Sequence, residues 1–254
     1  MVTLLSPLVG TISSSHIVNS EDLVTKLCNL NLSYKFDLIS FDVKSLFTNV
    51  PLDDILDFLS EYLNNFTFCL STSQIIDLLK LCTKESVFSF NGNFYRQTFG
   101  LAMGNPLSPV LSNLYMEYFE THLLPNILAS NVKWFRYIDD ILCLWPSNID
   151  HAQFLTQLNS LVPSIKFSVE LENNCKLPFL DVLIHKTIPN LQFQVYRKPT
   201  NINSFVHFYS GHSLSIKRGI FHGMFLRALK IVSLQFINSE YSNIFEIVKT
   251  QISR

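Results

Sequence analysis

Two adjacent carboxylates, Asp139 and Asp140, lie in the run "WFRYIDDILCLW", between stretches of large apolar residues. Adjacent carboxylates repel, and beside an apolar sheet each is driven toward its protonated form unless a cation sits between them. A divalent metal removes that penalty. Mg2+ takes oxygen ligands, binds one or two protein carboxylates and completes its octahedron with water and substrate phosphates. A further carboxylate is therefore expected from elsewhere in the fold. "LISFDVKSLFTNVPL" supplies it, with Asp42 placed where an apolar strand ends. Two such ions about 3.5 to 4 Å apart can activate a hydroxyl and brace a leaving pyrophosphate in line across a phosphorus. Each piece alone has a plainer reading, since Asp-Asp between strands makes a turn and an aspartate at a strand end is an ordinary solvated residue.

The elements that must position these residues are mixed. "YKFDLISFDV" (34–43) alternates apolar and polar residues and reads as a strand, while 52–63 and 71–86 carry apolar residues at helical spacing, the second opened by a Ser/Thr cap. "SVFSFNGNFYRQT" places Asn-Gly between two β-rich runs, a hairpin signal. "RYIDDILCLW" scans as strand, two-residue aspartate tip and strand. A helix opened by proline follows at 109–124, strands recur in "IKFSVELENNCKLPFLDVLIHK" and "LQFQVYRK", and 213–236 is a basic helical stretch interrupted by Gly219 and Gly223. The class is α+β, an antiparallel sheet with helices followed by a mostly helical basic tail.

Composition allows a packed core, with 254 residues of which 48% are hydrophobic. Five scattered cysteines form no Cys-x-x-Cys pair, so neither a disulfide framework nor a zinc knuckle is suggested, and the plain reading is a reducing intracellular compartment. No apolar run is long enough for a membrane span, and the first residues lack a basic leader. Net charge is −1, but it is unevenly spread: residues 1–195 hold eleven Lys and Arg against eighteen Asp and Glu, and residues 196–254 hold eight against two. The last quarter is the candidate phosphate-binding surface.

"FDVKSLFTNVP", "TFGLAMGNPLSPVLSNLYMEYFE", "RYIDDILCLW" and "LPFLDVLIHK" occur in the order and spacing of the palm motifs of reverse transcriptases. Their wording, and that of "VYRKPTNINSFVHFYSGHSLSIKRGIFHGMFLRALKI", resembles Penelope-like retroelements over nearly the whole chain. The resemblance implies a partial palm over 1–195 with helices on one face of its sheet, a truncated thumb over 196–254, and fingers largely absent. It implies an RNA-directed DNA polymerase that uses two Mg2+ ions, or Mn2+, with an RNA template, a DNA primer and dNTPs as partners. Asp42 and Asp139 would be the principal metal ligands, Asp140 the third, and the Val43 carbonyl an extra oxygen.

By the same resemblance, the N–H groups of Ser45 and Leu46 would face the triphosphate. Phe47 would be the steric gate against a ribose 2′-OH; on the residues alone it reads as core. Met103 stands where retroviral enzymes carry glutamine, and Gly100 and Gly104 would let backbone approach the base pair. Ser108 and Pro109 would begin the helix that carries the template, with Tyr137 beside the primer end. The "LPFLDVLIHK" hairpin, with Leu177, Phe179 and Leu180, would be the primer grip, and Lys176 a general acid for pyrophosphate; a solvated lysine reads equally well.

In the tail, Arg197, Lys198, Lys217, Arg218, Arg227 and Lys230 interleave with Phe205, Phe208, Tyr209 and Phe221, a pattern that suits phosphate tracking or a plain charged face over a core. His207, His212 and His222 lack the partners a zinc site needs. Basic finger residues have no counterpart before "MVTLLSPLVG", and no GIY-YIG endonuclease follows, so the resemblance implies a piece of a larger polyprotein whose fingers or endonuclease lie elsewhere. Two functions stay open: a polymerase core, and a catalytically silent remnant that only binds primer-template duplex.

Overall fold

The computed structural model describes residues 1–30, 35–84, 86–187, 190–203, 205–207 and 209–252. In chain order the regular elements are α1 (Val2–Leu5), α2 (Ser20–Cys28), β1 (Phe36–Val43), α3 (Leu46–Asn49), α4 (Leu52–Tyr62), α5 (Thr72–Lys84), β2 (Val87–Phe90), β3 (Asn93–Arg96), α6 (Ser108–Tyr118), β4 (Lys133–Tyr137), β5 (Asp140–Pro146), α7 (His151–Leu161), β6 (Phe167–Leu171), β7 (Lys176–Phe179), β8 (Val182–His185), β9 (Gln192–Val195), α8 (Leu214–Ile231) and α9 (Leu234–Ile252). The mixed α/β class with antiparallel sheet pairing is as expected. The expected strand start at Tyr34 lies outside the described residues.

The chain divides into two compact units, Met1–Ile17 with Phe41–Glu170, and Val18–Ser40 with Leu171–Arg254. A four-stranded sheet runs in the order β4–β5–β1–β6. β5 is an inner strand buried from Ile141 to Pro146, which is why its sequence is an unbroken apolar run rather than an alternation. In the first unit Phe41 stacks on Trp134 at 5.8 Å, and Phe154 of α7 packs on Trp145 at 4.8 Å, so rings from β1, β4, β5 and α7 share one aromatic core. Helix α6 is buried along nearly its whole length and continues as a π turn over Phe119–Leu123.

The Asn-Gly hairpin forms as its sequence dictates. Asn91 and Gly92 both adopt positive φ, the geometry of a type I′ turn, between β2 and β3. The Asp-Asp hairpin differs from expectation. Tyr137 pairs with Asp140, so the tip is Ile138–Asp139, and the positive φ falls on Ile138 rather than on an aspartate. A buried guanidinium, that of Arg136, holds the Ile138 carbonyl and fixes this register.

The second unit contains the antiparallel sheet β7–β8–β9 and the α8–α9 pair, whose core gathers Val195, Ala228, Val232 and Ile244. Helix α8 runs unbroken through Gly219 and Gly223, contrary to the expected interruption, because an interior glycine costs only about 1 kcal/mol. The break comes instead at Val232–Ser233. There Ser233 donates its N–H to the Phe193 carbonyl at 3.0 Å and accepts the Phe193 N–H on Oγ at 2.9 Å, pairing with the β9 edge. Helices α2 and α7 go beyond the sequence expectation; each is opened by a side-chain cap, Asn19 to the Asp22 N–H and Asp150 to the Ala152 N–H.

Candidate active site

Strand β1 buries Phe41 and Val43 and leaves Asp42 between them exposed, as the period of two demands. The Val43 N–H donates to the Asp139 carbonyl at 3.0 Å, so the tip of the β4–β5 hairpin is fastened to the end of β1. Ser168 of β6 places its hydroxyl 3.4 Å from Asp42 Oδ2. Burial pushes the Asp139 carboxyl above its ordinary range, its own backbone N–H pulls it back, and the charge of Asp42 acts in the same direction as burial. Two of the three aspartates are therefore close enough to repel. Asp140, half-buried, opens β5 one residue on.

A hard-oxygen donor pair whose charges repel fits a Mg2+ or Mn2+ ion, which needs only one or two protein carboxylates beside phosphate oxygens. Among the described residues, no group of three or more His, Cys, Asp or Glu side chains is assembled to hold a metal. The remaining ligands would come from substrate, water or the Val43 carbonyl.

The chain leaves β1 through Ser45, whose φ of +50° turns it into α3. Thr48 Oγ1 and Asn49 Nδ2 donate to the Ser45 carbonyl at 3.0 and 3.1 Å and hold that turn. Leu46 opens α3, where a helix leaves its first N–H groups without an acceptor of its own. Phe47 is half-buried, and its carbonyl accepts the Leu101 N–H at 2.6 Å. Gly100 lies so close that a Cβ there would stand 2.2 Å from the Thr48 carbonyl oxygen. The structure thus gives Gly100 a packing reason, the seating of the 100–104 loop on α3. Gly104 also has positive φ but faces open space, next to the exposed Met103. Ser108 is buried at the start of α6, donating to the Ala102 carbonyl at 2.6 Å, while Pro109 is exposed. Tyr137 is half-buried opposite Asp140.

The sequence reading missed Arg136 and its anchors. Arg136 is fully buried, with Nε 2.7 Å from Glu120 Oε1 and Nη1 donating both to Asn113 Oδ1 at 2.9 Å and to the Ile138 carbonyl at 3.1 Å. Ile138 has φ +56°, a conformation costing a β-branched residue about 1–3 kcal/mol. A second buried acid, Glu117, accepts the N–H groups of Gly10, Ile12 and Ser13 and straps the first loop onto α6. The available signal was a cation inside an otherwise apolar run, with two glutamates on the apolar helix before it.

The remaining candidates belong to the second unit. Leu177 and Phe179 are buried in its core, Leu180 has φ +54° at the β7–β8 tip, and Lys176 is exposed at the start of β7. Arg197 donates through both terminal nitrogens to Glu240, Arg227 pairs with Asp181, Lys230 with Glu21, and Lys217 Nζ reaches the Ser210 carbonyl. Lys198 and Arg218 are exposed, as is Tyr209; Phe205 and Phe221 are half-buried, and Phe208 lies outside the described residues.

Residues 6–176 match the family model for reverse transcriptase (RNA-dependent DNA polymerase). The chain belongs to that family. Residues 204–250 separately match an animal helix-turn-helix domain, the stretch that holds α8 and α9. Similar solved structures include telomerase from Candida albicans in complex with a TWJ fragment of telomeric RNA, at TM-score 0.69 and 14% identity over 98% of this chain and 47% of that one. Telomerase from Candida tropicalis in complex with the same kind of fragment gives TM-score 0.63 and 12% identity over 99% and 45%. Apo telomerase from Candida tropicalis, truncated from its C-terminal domain, gives 0.59 and 13% over 76% and 44%. This reverse transcriptase chain shares their fold and spans under half of each. No curated protein matches it.

Among the described residues no helix is long and apolar enough to cross a membrane.

Proposed function

We propose that the chain is the nucleotidyl-transfer core of a Penelope-like reverse transcriptase, with the palm in 1–195 and a basic thumb in 196–254. The observation that carries this reading is the joining of the Asp42 and Asp139 segments, the Val43 N–H at the end of β1 donating to the Asp139 carbonyl in the β4–β5 turn at 3.0 Å. Two Mg2+ or Mn2+ ions, when bound, would lower the pKa of a primer 3′-OH and neutralise charge on the departing pyrophosphate. Asp42 and Asp139 are the side chains that hold them, with Asp140 and the Val43 carbonyl in support. The N–H groups of Ser45 and Leu46 orient the triphosphate of a dNTP. Phe47, fixed through its carbonyl to Leu101, excludes a 2′-OH, and Met103 and Gly104 border the nascent pair.

Template and primer are read here as RNA and DNA. The telomeric RNA named in the neighbouring structures supports an RNA partner. Ser108, Pro109, Tyr137 and the β7–β8 hairpin are the template and primer contacts in this reading, Lys176 the general acid, and Lys198, Lys217 and Arg218 the phosphate contacts. The Penelope-like assignment rests on the wording of the tail, and it carries an intracellular, nuclear location.

The test is incorporation of dNTPs on a primed RNA template with Mg2+ or Mn2+, compared between wild type and Asp139→Asn. Metal-dependent extension lost in the variant supports the polymerase. Salt-sensitive duplex binding without extension selects the silent remnant.

A further inference from the structure

The Asp139 turn poses a mechanical problem. Its first tip residue, Ile138, is β-branched yet left-handed, a conformation that survives only where its surroundings over-determine it. The group that does so is the buried guanidinium two residues back. Arg136 Nη1 donates both to the Ile138 carbonyl and to Asn113 Oδ1, and Nε of the same guanidinium donates to Glu120. Glu120 is held in turn by the Trp134 indole N–H at 3.1 Å and the Ser15 hydroxyl at 2.9 Å. The backbone of Arg136 is gripped as well, donating to the Ser15 carbonyl and accepting from the Ile17 N–H, both at 2.8 Å.

We infer that Arg136 is a positioning residue: anchored by Glu120 and Asn113, it holds the Ile138 carbonyl and thereby sets where Asp139 meets the end of β1. A guanidinium suits the task, because its rigid planar fork can serve a carboxylate and two carbonyl-type oxygens at once, which an ammonium on a flexible stem cannot do in fixed directions. The inference rests on the reading of Asp42 and Asp139 as the metal-binding pair. It goes beyond that reading by assigning the geometry of the pair to a residue that touches neither substrate nor metal. The competing account is a plain buried ion pair that contributes only to the core.

The two accounts separate in a double variant. Arg136→Met alone would strand the Glu120 charge in the core and unfold the protein for reasons unrelated to the turn. Arg136→Met with Glu120→Gln removes both charges of the buried pair and keeps an acceptor for Trp134, while Glu117 retains its three backbone donors, but nothing then holds the Ile138 carbonyl. Three quantities are read on the full chain: the thermal midpoint, hydrogen exchange of the Val43 amide that donates to Asp139, and Mn2+ affinity by titration of free Mn2+ with electron paramagnetic resonance.

The expected result is a midpoint near wild type, with Val43 exchange faster by about tenfold or more and Mn2+ affinity lower by about tenfold or more, the range found when groups that orient metal ligands are removed. Wild-type exchange and affinity in the folded double variant would overturn the inference. Asn113→Leu, which keeps the ion pair and removes one anchor of Nη1, is expected to shift both readouts the same way by a smaller factor; no shift there counts against the inference too, and decides it if the double variant does not fold. Wild-type protein that binds no Mn2+ overturns the functional reading instead, and the Val43 exchange arm then decides the role of Arg136 alone.

Discussion

The Val43 N–H and the Asp139 carbonyl, 3.0 Å apart, join the end of β1 to the tip of the β4–β5 hairpin. With the pairing of β5 and β1 in the sheet, that bond holds together two segments almost a hundred residues apart in sequence, and it brings the charge of Asp42 to bear on the partly buried Asp139 carboxyl. In the metal-free protein the Asp42 charge adds to the burial that disfavours the ionised Asp139 carboxyl.

The first prediction follows from that sign. Asp42→Asn removes the like charge that helps keep the Asp139 carboxyl above its ordinary range. The metal-free variant should therefore be at least as stable as wild type at neutral pH, while extension of a primer falls by roughly 10³-fold or more, about 4 kcal/mol of transition-state stabilisation. Thermal melts without metal, beside single-turnover extension with Mg2+, check both halves. A variant that loses stability and activity together would mean that Asp42 acts through the fold.

Gly100 and Gly104 should respond differently to alanine although both have positive φ. At Gly104 a methyl group meets open space and the cost is the left-handed backbone alone, about 1–2 kcal/mol. At Gly100 the methyl would collide with the Thr48 carbonyl, so the loop must leave α3 and the Leu101 to Phe47 bond must break. Gly100→Ala is expected to lose more stability and nearly all dNTP incorporation, measured by denaturant melts and extension assays.

Much of this was legible in the sequence. Asp42 at a strand end, the Asn91–Gly92 turn and the α+β alternation follow from period-two patterning and turn chemistry, which are local. What was not legible depends on contacts distant in sequence. The hairpin tip shifted by one residue because Arg136, itself held by Glu120 and Asn113, grips the Ile138 carbonyl. The helix break moved to Ser233 because the β9 edge offered it two hydrogen bonds, whereas Gly219 and Gly223 met nothing that would end the helix. The close seating of Gly100 on the Thr48 backbone is another such distant contact.

Glu117 gives a prediction in pH. Burial raises its carboxyl above the ordinary range, although three backbone N–H groups and the charge of Arg136 pull it down. A carboxylate raised in the folded state contributes stability that is fully present below its unfolded value and is lost as pH rises through the folded one. Wild type should lose stability over that acid window, and Glu117→Gln should flatten the slope. The same variant costs stability at neutral pH, about 1–3 kcal/mol, because its NH2 must face the Gly10 N–H or the Ile12 and Ser13 pair. Urea melts from pH 4 to 8, a range of roughly the usual carboxylate window upward, measure both effects.

The basic tail separates into cations that hold the fold and cations available to a ligand. Arg197 is bound at both terminal nitrogens to Glu240, a nearly buried carboxylate, so Arg197→Ala strands a charge and should lower stability by about 3–5 kcal/mol. Lys198 and Arg218 are exposed, and removing either should leave the melt within about 0.5 kcal/mol of wild type. If these two contact phosphate, each alanine variant lowers the slope of log affinity against log salt for a primer-template duplex by about one unit, because one fewer counterion is released. Fluorescence anisotropy across a salt series, beside thermal melts, reads both quantities. A slope unchanged in Lys198→Ala and Arg218→Ala would move the nucleic-acid face away from α8 and the strand exit before it. An Arg197→Ala variant that melts like wild type would show that Glu240 does not depend on its partner and return Arg197 to the set of phosphate contacts.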